Sequence, residues 1–178
     1  SDDTELWIAS DGEGIADLKA KYAHDQRISW LGRITDAEKI DRLARCAVFC
    51  APSLHSESFG IVVLEAMAAG APVVASSLEG YRNVATHDVN GWLVEPGDVG
   101  GLTEGLAKVI GDKELSERLR QGGLERAKEL SMRHLAEIYV EIYHKVLERE
   151  SFDPDHHPKS RVVRMFEDRV LRKPQRLR

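Results

Sequence analysis

Two glutamates, Glu57 and Glu65, are the residues of this sequence whose types and spacing best suit chemistry. They lie eight positions apart, so a helix across them would place both carboxylates near one face, about 12 Å apart along its axis. The residues between them are mostly apolar, and an isolated charge buried among apolar side chains is very unfavourable. We therefore expect each carboxylate to be paired, hydrogen-bonded or in contact with a ligand.

Gly60 lies where we expect this helix to begin, and a glycine lets the backbone approach a ligand closely. The free N–H groups of a first helical turn favour anions. Together with two carboxylates that accept hydrogen bonds, they suit a ligand with a phosphate and several hydroxyl groups, such as a nucleotide sugar. The spacing alone leaves one alternative open, an ordinary buried helix with two acidic caps.

Short apolar runs alternate with helical patterns from the start of the chain to about residue 149. The runs predict strands over residues 4–10, 27–31, 47–51, 72–75 and 91–94. The helical patterns lie over residues 15–23, 35–45, 57–70, 80–85, 98–110, 113–130 and 132–149. Thr35, followed three residues later by Glu38, predicts a capping box at the start of the second helix.

This alternation indicates βαβ units. The fold class that follows is α/β, a Rossmann-like open parallel sheet with helices on both faces. Ligands of such sheets bind beyond the carboxyl ends of the strands. The segment 52–60, which contains Glu57, directly follows the strand predicted over residues 47–51, so we expect the site there.

Length and composition favour one globular domain, which we assign to residues 1–149. The chain has 178 residues, of which 42% are hydrophobic, and this is enough for a core. Its net charge of −5 gives no reason to expect a nucleic-acid partner. Neither a membrane-spanning run nor a signal peptide is apparent, so we expect a cytoplasmic protein. Cys46 and Cys50 lack the spacing of a zinc site, and we expect buried thiols.

The end of the chain differs from the rest. Residues 150–160 have the composition of a linker. Residues 159–178 carry a net charge of +6, which leaves −11 for residues 1–158. Apolar positions within the basic tail, residues 161–178, recur at near-helical spacing. Three alternatives stay open for the tail: an amphipathic helix packed on another domain, one lying on an anionic membrane, or a solvated terminus.

The residues around the two glutamates carry a family resemblance. The string from Cys50 to Gly70 reads CAPSLHSESFGIVVLEAMAAG. It resembles the Glu-x7-Glu signature of retaining glycosyltransferases of the GT-B architecture, family 4, and within them the actinobacterial phosphatidyl-myo-inositol mannosyltransferases. The resemblance runs from residue 1 to about Glu148. It implies the donor-binding half of such an enzyme, without the acceptor domain and without the first strand–helix unit, which carries an Arg and a Lys for the donor diphosphate.

The resemblance also implies roles for residues of the motif. Glu57 would be the catalytic residue, in the sense that it orients the donor by accepting a hydrogen bond from a sugar hydroxyl. Glu65 would accept hydrogen bonds from both ribose hydroxyls. Phe59, Gly60 and Ile61 would offer backbone N–H groups to the diphosphate and the sugar.

Base recognition falls, by the same resemblance, on a loop that contains Ile34, Asp36 and Lys39. An aspartate at this place would accept hydrogen bonds from the N1–H and N2–H groups of guanine. The alternative for Asp36 is an ordinary acid in the first turn of a helix. At Ser10-Asp11-Gly12 the chain departs from the Gly-Arg-Gly of the mannosyltransferases, so a base other than guanine stays an alternative.

The implied activity is that of a hexosyltransferase that forms part of a longer chain, with this fragment inactive alone. The preferred reaction moves mannose from GDP-mannose to a lipid acceptor such as phosphatidylinositol, at the inner face of the plasma membrane. Alternatives are a family 4 transferase with a UDP-sugar and a different glycan acceptor, and a non-catalytic module that binds a nucleotide sugar. The sequence has no Asp-x-Asp motif, so no metal is expected to be required, and stimulation by Mg²⁺ stays open.

Overall fold

The computed structural model describes residues 4–147, which divide into two compact units at the boundary between Arg42 and Leu43. The predicted linker at residues 150–160 and the predicted basic tail lie outside the described residues. Each of the two units is described below by itself.

The first unit is a pair of parallel strands with helices between and after them. Its elements are β1 (Leu6–Ile8), α1 (Ile15–Lys21), β2 (Ile28–Trp30) and most of α2 (Asp36–Arg45). Leu6 pairs with Ile28, and Ile8 with Trp30. The capping box is confirmed: the Thr35 amide donates to Glu38 Oε2 at 2.8 Å, and the Glu38 amide donates to Thr35 Oγ1 at 3.2 Å.

The second unit is a three-stranded parallel sheet with the order β3-β4-β5. Its elements are β3 (Phe49–Ala51), α3 (Ile61–Ala68), β4 (Val73–Ser76), α4 (Glu79–Val84), β5 (Trp92–Val94), α5 (Val99–Gly111), α6 (Lys113–Glu129) and α7 (Met132–Leu147). The α/β class with parallel strands is therefore confirmed. Four of the five predicted strands are longer than the observed ones, because their predicted runs extend past the residues that pair, whereas β4 has the predicted length and is shifted by one residue.

Helices cover both faces of the central strand, β4, as predicted. Every residue of β4 is buried. Val73 and Ala75 belong to a core cluster with residues of α3 and α4, whereas Val74 packs in a separate cluster with residues of α5 and α6. Successive side chains of a strand point to opposite faces. The alternation of cluster membership therefore shows that β4 is packed on both sides.

Both cysteines are free and half-buried. Cys46 directly follows α2 and donates a hydrogen bond from Sγ to the carbonyl oxygen of Leu43 at 3.3 Å, while Cys50 lies in β3. Burial raises the pKa of both thiols. Because the thiolate is the nucleophile, a raised pKa makes both side chains poorly reactive at neutral pH.

A buried arginine on α6 holds the end of α4. The Arg126 side chain is 8% exposed, and its guanidinium donates to the carbonyl oxygens of Asn83 at 2.9 Å and Val84 at 3.3 Å. Its third partner is Glu129 Oε2 at 2.9 Å. The last carbonyl groups of a helix have no partner within the helix. Arg126 supplies those partners, so it ties the short helix α4 to the long helix α6.

We expect Arg126→Met to lower the free energy of unfolding by roughly 2–3 kcal/mol, because two carbonyl groups at the end of α4 lose charged donors. Urea denaturation followed by circular dichroism measures the change. The matched control is Arg118→Met, also on α6: Arg118 pairs with Asp88 at 3.0 Å, and both side chains are about half exposed. An exposed pair of this kind contributes less than about 1 kcal/mol, so equal losses in the two variants would contradict the role of Arg126.

Candidate functional site

The helix that carries the motif begins later than the sequence suggested. The prediction of one helix over residues 57–70, with both glutamates on one face, is wrong: α3 begins at Ile61. Glu57 lies in the loop between β3 and α3, and Glu65 lies in the second turn of α3. The cause is local, because Gly60 has a φ of 92°, which no α-helical residue adopts, and Ser56 is also left-handed with a φ of 67°.

The carboxylate of Glu57 lies at the start of α3 even though Glu57 is outside the helix. Its Oε1 accepts a hydrogen bond from the amide of Gly60 at 3.0 Å and a longer one from the amide of Phe59 at 3.4 Å. Gly60 is the N-cap residue and has no side chain with which to cap the helix. Glu57 thus places a negative charge at a helix N-terminus, where the helix dipole stabilises it by about 0.3–1 kcal/mol.

This arrangement changes what the predicted backbone donors can do. Two of the three predicted amides, those of Phe59 and Gly60, already donate to Glu57. The third, the amide of Ile61, belongs to the first turn of α3, whose N–H groups have no acceptor within the helix. The Ile61 side chain is 63% exposed, so this end of α3 faces solvent. An anion at this helix start therefore has the amides from Ile61 onward to bind.

Glu65 lies four residues after Ile61, on the same side of α3. Its side chain is half-buried, as is that of Phe59, which packs against the main core cluster. The structure therefore brings Glu57, Gly60, Ile61 and Glu65 to one helix and the loop before it. Two features differ from the sequence-based prediction: α3 begins after Glu57, and the amides of Phe59 and Gly60 already have an acceptor.

The loop packs backbone to backbone on the start of α4. A Cβ atom added at Gly80 would lie 2.7 Å from the carbonyl carbon of Glu57 and 2.9 Å from that of Ser58. A Cβ atom added at Gly60 would lie 3.0 Å from Cδ1 of Tyr81 and 3.2 Å from the carbonyl oxygen of Gly80. Two glycines thus permit this contact, and it fixes the position of the main chain that carries Glu57.

Tyr81 is a residue of this site that sequence reasoning missed. Its side chain is 2% exposed, and its hydroxyl oxygen lies 2.9 Å from Oγ of Ser53, in the same loop as Glu57. Burial raises the pKa of the Tyr81 phenol, and the nearby negative charge of Glu57 raises it further. Tyr81 was missed because an aromatic residue in a short helix usually belongs to the core. Its position just after Gly80, beyond the carboxyl end of β4, could have indicated that it lies near the site.

The predicted base-recognising residues lie in the first unit. Ile34 is half-buried. Asp36 is the first residue of α2, with a side chain that is 93% exposed, and its Oδ1 lies 3.3 Å from Nζ of Lys39. Nearby, Asp11 forms an ion pair with Arg33 at 2.6 Å. Asp36 therefore has the position of a first-turn helix acid, and its contact with a base stays a prediction.

A separate cavity of about 670 Å³ lies between α6, α7 and the C-terminal end of α3. Ala68, Lys128 and His134 are among its lining residues. Glu57 and Gly60 lie at the opposite, N-terminal end of α3, so none of the predicted site residues lines this cavity. We do not take this cavity as the functional site on its size alone, because the residues of the sequence motif lie at the other end of α3.

Two further observations concern residues 4–147 only. Within this range, no three His, Cys, Asp or Glu side chains are grouped so that they could hold a metal ion. Nor does any helix of the described chain combine the length and the apolar composition that crossing a membrane requires.

Comparison with known proteins identifies the family. The chain belongs to the group 1 glycosyl transferases, whose family model matches residues 2–126. The phosphatidyl-myo-inositol mannosyltransferase of Mycobacterium leprae is 34% identical over 145 residues, which is 82% of this chain and 39% of that protein. The mannosyltransferase of the same name from Mycolicibacterium smegmatis is 39% identical over 129 residues, or 71% of this chain and 32% of that protein. This chain therefore spans less than half the length of these relatives.

Solved structures show the same fold. The Anabaena protein HepE, crystallised in complex with UDP-glucose, matches with a TM-score of 0.66 and 24% identity, over 79% of this chain and 41% of that one. At this identity the match establishes the fold alone. It agrees with the parallel α/β architecture of the described residues.

We expect Gly80→Ala to destabilise the second unit by roughly 1–3 kcal/mol, since the new Cβ atom would overlap the main chain at Glu57 and Ser58. Urea denaturation measures the loss. Gly111→Ala is the control, because a Cβ atom there has no neighbour within 4 Å, and alanine is the better helix former by up to about 1 kcal/mol. A Gly80→Ala variant as stable as the Gly111→Ala variant would show that the loop does not need this contact.

Proposed function

We propose that this chain is the donor-binding half of a retaining glycosyltransferase, which moves a hexose from a nucleoside diphosphate to an acceptor hydroxyl. The observation that carries the proposal is the placement of the Glu57 carboxylate at the start of α3. There it lies next to helix amides that have no partner within the helix. The carboxylate can accept hydrogen bonds from sugar hydroxyls, and the free amides of the helix start can bind a diphosphate, so the arrangement suits a nucleotide sugar.

Each residue of the site has one role in this proposal. Glu57 orients the donor sugar by accepting a hydrogen bond from a hydroxyl, and it is not a nucleophile. The amide of Ile61 binds the diphosphate, and Glu65 accepts hydrogen bonds from the ribose. The amides of Phe59 and Gly60 hold Glu57 in place, and they reach the donor only if the carboxylate turns away from them.

The chemical step then relies on the donor itself. The bond from the anomeric carbon to the phosphate oxygen breaks, the oxygen of the acceptor hydroxyl forms a new bond to the anomeric carbon, and the leaving phosphate takes the proton of that hydroxyl. Helix amides and basic side chains stabilise the charge that develops on the diphosphate, as fixed dipoles do in other group-transfer sites. No step of this scheme requires a metal, and Mg²⁺ is expected to stimulate at most.

For the donor and acceptor we propose GDP-mannose and phosphatidylinositol, at the cytoplasmic face of a membrane. The support is the identity of 34–39% to proteins named phosphatidyl-myo-inositol mannosyltransferases. The alternatives are a UDP-sugar with a different glycan acceptor and a module that binds a nucleotide sugar without turning it over. Incorporation of labelled mannose into phosphatidylinositol vesicles by the full-length protein separates transfer from binding alone.

The assigned roles predict different ligand profiles for the two glutamates. Glu65→Ala should weaken the binding of GDP and of GDP-mannose alike, because both contain the ribose. Glu57→Gln should weaken only the binding of GDP-mannose. Gln keeps a carbonyl oxygen that accepts from the Gly60 amide, so the loop is expected to stay in place. Each lost charged hydrogen bond should cost roughly 1.5–3 kcal/mol of binding free energy. Isothermal titration calorimetry at millimolar ligand, with GDP, GDP-mannose, UDP-glucose and UDP-N-acetylglucosamine, measures all four affinities.

Two results would count against this proposal. Wild-type protein that binds none of the four ligands would remove the proposed function altogether. Equal losses for GDP and GDP-mannose in the Glu57 variant would show that Glu57 does not contact the sugar. If the wild type prefers UDP-glucose, the proposed donor GDP-mannose is wrong, whereas the proposed reaction class stands.

The base is predicted to be read by the loop that contains Ile34, Asp36 and Lys39. If it is guanine, Asp36→Ala should reduce the preference for GDP over UDP, because the guanine N–H donors lose their acceptor. Competition binding of the two nucleotides measures this ratio. Asp41→Ala, on the same helix, is the control for a general loss of negative charge. An unchanged ratio in the Asp36 variant would leave Asp36 as a first-turn helix acid only.

A further inference from the structure

Helix α7 carries apolar side chains on two of its sides. One side is buried, since Ile138 and Ile142 are each 7% exposed. The other side, which we call the outer face of α7, has large apolar side chains that are between 40% and 78% exposed, namely Met132, Tyr139, Val140, Tyr143 and Val146. Single exposed apolar residues are normal, but a contiguous group of them marks an interaction surface.

The spacing on the outer face is typical of packing between helices. Exposed residues follow one another there at intervals of four, three, four and three positions, at Met132, Ala136, Tyr139, Tyr143 and Val146. This alternation, with an average of about 3.5 residues, keeps one seam of a helix against a partner helix. The rings of Tyr139 and Tyr143 are neighbours on this seam, with centroids 6.3 Å apart. The outer face therefore suits a second helix laid along it.

The basic tail has apolar positions with a matching spacing. Three of them lie three and then four residues apart, at Val163, Phe166 and Val170. Read in the reverse direction, α7 has the same two intervals, at Val146, Tyr143 and Tyr139. In an antiparallel arrangement, each of the three tail positions therefore has a counterpart on the outer face.

Chain length and charge both favour the tail as the occupant of this face. The tail follows α7 in the same chain, after the thirteen residues 148–160. Such a stretch can reach about 40 Å, whereas the axes of packed helices are only about 10 Å apart. Residues 159–178 have a net charge of +6 and residues 1–158 one of −11, so the two attract each other. An anionic membrane or a second copy of the chain would instead face the negative charge of residues 1–158.

We propose that residues 161–171 of the basic tail pack as an antiparallel helix along the outer face of α7. The apolar residues then meet in three layers, Val163 with Val146, Phe166 with Tyr143, and Val170 with Tyr139. The contact is stabilised by the burial of apolar side chains that α7 otherwise exposes. It involves only α7 and the tail, so it does not depend on the ligand of the candidate site.

A pair of cysteines in the full chain tests the contact. In Val146→Cys/Val163→Cys, we expect a disulfide within one chain under mild oxidation, because the arrangement brings these two positions together. The matched control is His144→Cys/Val163→Cys. His144 is also exposed, but it lies about 160° around the helix axis from Val146. The disulfide of the first pair should form at least about fivefold faster, since docking raises the effective concentration of the two thiols.

Peptide mapping by mass spectrometry distinguishes the expected disulfide from any that involves Cys46 or Cys50. The intervening chain is nearly the same length in the two variants, so random encounters contribute about equally to both. Equal rates in the two variants would contradict the proposal. A disulfide that joins two chains would show that the outer face binds a second copy instead.

Hydrogen exchange of the α7 amides gives a second test that needs no cysteine. Phe166→Asp places a charge in the apolar seam, which is unfavourable, so α7 should exchange about threefold faster or more, with α5 unchanged. Met165→Asp is the matched control, because it makes the same change of charge at a position of the tail that points away from the seam. Exchange of α7 that is the same in both variants would overturn the proposal. Exchange that slows only when phosphatidylglycerol vesicles are added would show that a membrane covers the outer face.

Discussion

The contact between the loop of residues 52–60 and the start of α4 is the constraint on which the candidate site depends. Main chain meets main chain there, and the absence of a side chain at Gly80 makes it possible. Protein interiors are packed as densely as organic crystals, so a contact of this kind has little freedom to shift. The loop therefore carries Glu57 to the beginning of α3 without being part of that helix.

A series of short contacts supports this loop from the rest of the second unit. The buried guanidinium of Arg126 binds the last carbonyl groups of α4, and α4 begins with the residues that touch the loop. Helix α3 in turn packs on α6, where Gly123 gives room to the Met67 side chain. Helix α6 therefore contacts both α3 and α4, the two helices next to the loop.

The charge of Glu57 favours different positions for a phosphate and for a hydroxyl group at the start of α3. Glu57 already places a negative charge on the amides of Gly60 and Phe59, and a phosphate bound to the same amides would be repelled by that carboxylate. A phosphate is therefore expected at the amides from Ile61 onward, with a hydroxyl group on the side of Glu57. This separation is what the proposed donor, a sugar joined to a diphosphate, would require.

The sequence by itself determined the alternation of strands and helices and the capping box of Thr35 and Glu38, because these depend on residues close together in the chain. It did not determine where α3 begins. The apolar run from Phe59 to Leu64 is compatible with a longer helix, whereas in the structure Gly60 is left-handed and packs so closely on Tyr81 and Gly80, some twenty residues away, that a side chain there would be crowded. The roles of Tyr81 and Arg126 were likewise decided by tertiary structure, since a buried hydroxyl or guanidinium acquires its function only from the distant groups that the fold brings to it.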